Sequence, residues 1–70
     1  MNEVLKAARK ASGVTQVDMC KALGRSVSYV PKLEQGQVDI RFADVVKWYE
    51  SCDDIGKQIV RNKIQSIFFD

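Results

Sequence analysis

The stretch that decides the fold runs from Thr15 to Gly36 and reads TQVDMCKALGRSVSYVPKLEQG. Thr15 has a hydroxyl that can cap a helix, and Asp18, at the third helical position, suits the positive end of the helix dipole. That helix closes at Gly24, a natural residue for the left-handed conformation past a helix end. A second helix is expected to be capped by Ser26 and to end at Gly36. Met19, Leu23, Val30 and Leu33 fall on inward positions and tie the two helices to a core. Cys20 stands where the helices come closest, so only a small side chain fits there. Joined at Gly24-Arg25, the pair crosses steeply, and the second helix keeps its outer face exposed.

Outward from this stretch the apolar period stays helical, and punctuation marks five segments. A first helix is expected from an Asn2 cap to Ser12, with Leu5, Ala8 and Ala11 along one side and Gly13 as its stop. A fourth is expected from an Asp39 cap, where Phe42, Val45, Val46 and Tyr49 form a core stripe that Trp48 and Cys52 widen. A fifth spans about 54–68, with Ile55, Ile59, Val60, Ile64, Ile67 and Phe68 at three- and four-residue steps; Asp53 and Asp54 read as acids at its N-terminus. Strand-period alternation, internal repeats and long linkers are lacking. The fold class is therefore all-α, and residues 1–70 are expected to form a single domain, because a chain this short buries only about 60% of its unfolded surface.

The chain has a 46% hydrophobic share and a formal net charge of +2. The distribution of charge is more informative than its sum. Residues 1–37 hold six cations against three anions, whereas residues 38–70 hold five against six. The basic excess thus coincides with the decisive stretch, which fits a phosphate-facing front and a less basic back. Cys20 and Cys52, with no histidine, cannot complete a four-ligand zinc site and read as reduced structural thiols; no metal or cofactor is expected. No apolar run approaches the roughly 20 residues that span a bilayer, and the N-terminus lacks a signal-peptide core, so a cytoplasmic protein without a membrane partner is expected.

The ordered elements Gly13-Val14, Thr15-Gln16, Leu23-Gly24, Ser26 and Leu33-Glu34-x-Gly36 resemble the phage repressor and Cro-type (XRE-like) helix-turn-helix family. The likeness extends from about Leu5 to Tyr49. It implies a compact five-helix, lambda-repressor-like DNA-binding domain, with the helix-turn-helix at 16–35 formed by helices two and three. It also implies roles by position. Gln16 matches the glutamine that grips a DNA phosphate at a helix N-terminus. Val27, Ser28 and Lys32 match base-facing positions, where a valine packs on a thymine methyl and a lysine donates to guanine. Arg9 and Glu34 match an ion pair that joins the first helix to the third. Arg41, just inside the fourth helix, matches a backbone-contacting cation. Arg25 in the turn and the Tyr29 hydroxyl are expected to reach phosphates as well.

Two departures from the family pattern stand out. Arg25 replaces a small aliphatic residue, which implies a more solvent-open turn. Pro31 lies about five residues into the expected recognition helix, where its ring and missing N–H are costly; either the helix begins later or it bends there.

The closing Ile67-Phe68-Phe69, with Ile64, leaves more apolar surface than a monomer covers, so a two-fold homodimer through these residues is expected. Such a dimer would set two recognition helices about 34 Å apart on a near-palindromic double-stranded operator. The inventory lacks a nucleophile with a base or a phosphate-binding loop, so an enzyme is not expected, nor is a small-molecule ligand. A Cro- or repressor-type switch of a phage or mobile element is the favoured role. An antitoxin, a restriction controller, or a protein-interaction module that has lost DNA binding are the alternatives.

Overall fold

Trp48 is the largest fully buried side chain, and its indole N–H donates to the carbonyl of Leu5 at 2.9 Å. A ring that size organises a small core, and its one polar atom needs a partner once buried. The computed structural model describes residues 1–69 and has five helices among them: α1 (Asn2–Ala11), α2 (Gln16–Leu23), α3 (Tyr29–Glu34), α4 (Phe42–Ser51) and α5 (Asp54–Phe69). The fold is all-α, with no strand among the described residues. Nor is any described helix long and apolar enough to cross a membrane.

Every helix contributes to one core. Leu5 and Ala8 come from α1, Met19, Cys20 and Leu23 from α2, Val30 and Leu33 from α3, Trp48 from α4, and Val60 from α5, with Cys52 just past α4. The inward positions expected in the Thr15–Gly36 stretch are all buried. Packing of α1 on α5 closes one side of the core, and α2 packs on both α3 and α4. The α1–α5 crossing depends on Gly56. A Cβ there would lie 2.7 Å from the Ala8 carbonyl oxygen and 2.9 Å from the Cys52 Cβ, so only hydrogen fits.

The helix starts differ from expectation at three places. The N-cap of α1 is Met1, with Asn2 already helical, and Ala11 is exposed while Arg9 takes an inward place. The N-cap of α4 is Arg41 rather than Asp39. The N-cap of α3 is Ser28, not Ser26, so the helix begins two residues later than the spacing predicts. The proline is the reason. With α3 starting at Tyr29, Pro31 falls in the first turn, where backbone N–H groups have no intrahelical acceptor anyway. Of the two readings that Pro31 allows, the structure takes the later start. α5 begins as expected, with the Asp53 carboxylate accepting the Gly56 N–H at 2.9 Å. That bond, foremost, holds the Asp53 carboxyl below its ordinary range.

Candidate nucleic-acid interface

The turn between α2 and α3 is built by backbone chemistry. The Thr15 hydroxyl accepts the Asp18 N–H at 3.1 Å and starts α2. Gly24 ends it in the left-handed region at φ +68°, and the next N–H, that of Arg25, returns to the Cys20 carbonyl at 3.0 Å. Ser26, Val27 and Ser28 then form a turn that the Tyr29 N–H closes on the Ser26 carbonyl at 3.0 Å. Across the gap, the Val30 N–H donates to the Cys20 sulfur at 3.4 Å. A small thiol therefore permits the close approach and also caps an otherwise unpaired donor in the first turn of α3.

This turn has an inner and an outer side. Val30 and Leu33 are fully buried. Val27 is 65% exposed, and Ser28 and Lys32 are exposed as well. Ser28 and Lys32 sit four residues apart, and the Lys32 N–H donates to the Ser28 carbonyl at 3.2 Å, so they stack on one side. The three residues expected to face bases therefore form an outward row, two from the turn and one from the helix. No ion pair among the described residues engages Lys32.

Two buried carboxylates fix this row from behind. Glu34, at the end of α3, takes a bidentate pair from Arg9 of α1: Nε to Oε2 at 2.6 Å and Nη2 to Oε1 at 3.0 Å. Arg9 also donates to the Val14 carbonyl at 2.9 Å. The Gln16 amide, expected on a phosphate, donates to Glu34 Oε1 at 3.0 Å. That nitrogen has a second hydrogen, so the bond orients the amide at the start of α2 without using it up. Burial alone would raise the Glu34 pKa. The bonds from Arg9 and Gln16, with the charges of Arg9 and Lys6, outweigh burial and hold the carboxyl below its ordinary range.

The second carboxylate, Asp44 of α4, is 2% exposed. Its Oδ2 accepts both Arg25 Nη2 at 2.9 Å and the Tyr29 hydroxyl at 3.0 Å. The Arg25 guanidinium lies 5.0 Å from the Tyr29 ring centre, within cation–π range. The Tyr29 hydroxyl, expected to reach a phosphate, donates to Asp44, and the exposed Arg25 guanidinium spends one of its five N–H donors on the same carboxylate. Burial, then the bond to Asp44, raises the Tyr29 pKa. Arg41 is exposed, lies one residue before α4 rather than inside it, and is close enough for its charge to act on Tyr29.

Sequence reasoning missed Asp44. Its position carried a signal, since it precedes Trp48 by four residues and so shares the buried face of α4. The expected Phe42–Val45–Val46–Tyr49 core stripe also needs correction. Val45 is buried and Tyr49 half-buried, but Phe42 is 80% exposed and Val46 is exposed. Together with Arg61, Ile64 and Gln65 they line an open groove between α4 and α5. Of the residues expected to mediate dimerisation, Ile64 is half-buried against the core, and Ile67, Phe68 and Phe69 are exposed.

No curated protein and no solved structure matches this chain significantly. A family model described as a helix-turn-helix domain matches residues 3–50, which take in α1 to α3 and nearly all of α4. The chain belongs to the helix-turn-helix domain family.

Proposed function

We propose that this protein is a sequence-specific double-stranded DNA-binding regulator that reads the major groove with Val27, Ser28 and Lys32. The outward row of these three residues carries the reading. It stands on a short element whose other side is held by the core and by two carboxylate clusters, which is the rigidity that base recognition needs. Val27 offers methyl groups to a thymine methyl, Ser28 a hydroxyl that donates or accepts, and Lys32 an ammonium for guanine O6 and N7. Gln16, at the start of α2, and Arg41, at the start of α4, contact phosphates on either side. Arg25 and Tyr29 act through Asp44 as positioning residues. Two copies, related by a two-fold axis, bind a near-palindromic operator in the manner of a Cro- or repressor-type switch, and the role is binding, not catalysis.

Selection of bound duplexes from a random library tests this directly. The expected outcome is a consensus of two inverted half-sites about 34 Å apart, with affinity that falls steeply as salt rises. A library that returns no enrichment, or binding that is insensitive to salt, would overturn the reading.

A further inference from the structure

The sequence leads to no expectation of a small-molecule ligand, because the Phe42–Tyr49 stripe reads as core. In the structure that stripe borders a groove of about 240 Å³ with almost entirely apolar walls, Val45 and Val46 on the α4 side and Ile64 on the α5 side. Sites for drug-sized molecules begin at roughly 300 Å³, so this one has room for a single ring with a short tail.

One end of the groove is polar, and its charge is all of one sign. Tyr49 is the last wall residue of α4, and Arg61 is the first of α5. The Tyr49 ring carries two cations: Lys57 Nζ lies 5.6 Å from its centre and the Arg61 guanidinium 5.8 Å. Lys57 and Arg61 are four residues apart on α5, a spacing at which like charges repel. The ring offsets part of that repulsion, but a carboxylate would offset more. None is supplied from within. The two ion pairs among the described residues are Arg9–Glu34 and Arg25–Asp44, and no wall residue of the groove is acidic. Asp53, at the nearby start of α5, accepts instead from the Gly56 N–H and the Ser12 hydroxyl. Arg61 gives one N–H to the Tyr49 hydroxyl at 2.5 Å and one to Gln58 Oε1 at 3.3 Å. Three of its five donors are left for an anion.

We propose that the α4–α5 groove is a binding site for a small aromatic carboxylate. The ring lies among Val45, Val46 and Ile64, where the Tyr49 and Phe42 rings offer aromatic edges and faces. The carboxylate accepts from the Arg61 guanidinium, whose planar fork matches it, and Lys57 adds to the attraction. Charge complementarity chooses this occupant over a neutral apolar one, which would leave both cations unpaired.

The site is tested without DNA and does not depend on the DNA reading. Three probes are titrated into isotope-labelled protein while the methyl resonances of Val45, Val46 and Ile64 are followed: 3-phenylpropionate, its neutral counterpart 3-phenylpropanol, and acetate. The acid should shift these methyls to saturation. The alcohol should bind about tenfold more weakly or worse, the worth of a charge-assisted hydrogen bond, and acetate should leave the methyls unmoved. Arg61→Gln should abolish the preference for acid over alcohol while leaving the alcohol's own affinity unchanged. Val46→Trp, which fills the groove from an exposed position, should block both aromatic probes. Arg61 is exposed too, so both variants should keep the wild-type melting curve. The wild-type comparison of acid with alcohol decides the matter even if a variant fails to fold. Equal affinity for the two, silent methyls with every probe, or a preference that survives Arg61→Gln would each overturn the site. So would methyl shifts that follow protein concentration and ignore the acid, which would give the groove to a second copy of the chain.

Discussion

Arg25, in the turn between α2 and α3, places Nη2 2.9 Å from Oδ2 of Asp44 on α4. The Tyr29 hydroxyl shares that oxygen, so one buried carboxylate ties the start of α3 to a helix outside the helix-turn-helix. Asp44→Ala removes the acceptor of both donors. Unfolding in urea should show a loss of about 1–3 kcal/mol, the cost of leaving polar partners unpaired. Duplex affinity should fall as well, although Asp44 is too buried to touch DNA. Unchanged stability and affinity would show that the carboxylate positions nothing.

Glu34 supplies a pH dependence. Its folded-state carboxyl lies below the ordinary value of 4.5, so the unfolded state binds more protons in the interval between the two. The stabilisation is therefore fully present above the ordinary value and is lost as pH falls through the folded one. Glu34→Gln should flatten the acid limb of the stability–pH curve. At neutral pH it should cost an amount near the lower end of about 3–5 kcal/mol, because Arg9 is 7% exposed and loses its counter-charge. Urea midpoints across the acid range measure both effects. Parallel wild-type and variant curves would contradict this.

Gly56→Ala sets two effects of opposite sign against each other. Helix propensity favours alanine by about 1 kcal/mol. The new methyl group, however, would meet the Ala8 carbonyl oxygen and Cys52 Cβ inside van der Waals contact, and these are not flexible ends that can swing away. Overpacking of this kind costs about 1–3 kcal/mol or more, so a net loss is expected by chemical denaturation. A more stable variant would mean that α1 and α5 cross further apart.

Pro31→Ala tests where α3 begins. A proline inside a helix costs about 3 kcal/mol, and its removal would then stabilise the protein strongly. In the first turn that penalty is absent, and replacing proline mainly frees the unfolded chain, at a cost of about 0.4–1 kcal/mol. Slight destabilisation is expected. A stabilisation of several kcal/mol would place the start at Ser26 after all.

What was legible in the sequence was local. Thr15, Gly24 and Cys20 answer backbone requirements within a few residues, and their roles follow from residue type and spacing. The start of α3 was harder to read, because Ser26 and Ser28 are both good caps and only the tolerance for Pro31 separates them. The Arg25–Asp44–Tyr29 cluster joins residues up to nineteen apart, through the packing of α2 on α4, which no local pattern encodes. The Phe42–Val46 stripe failed for a different reason. A helical period marks an apolar face but not what covers it, so a face turned toward an open groove reads like one turned toward the core.

The central claim is that Val27, Ser28 and Lys32 meet DNA. Titrating a selected duplex into isotope-labelled protein, with amide resonances followed residue by residue, tests it most directly. The largest shifts are predicted at Val27, Ser28 and Lys32, flanked by Gln16 and Arg41, with Ile55 unmoved. Shifts confined to the α4–α5 groove, with the Val27–Lys32 row silent, would contradict the account.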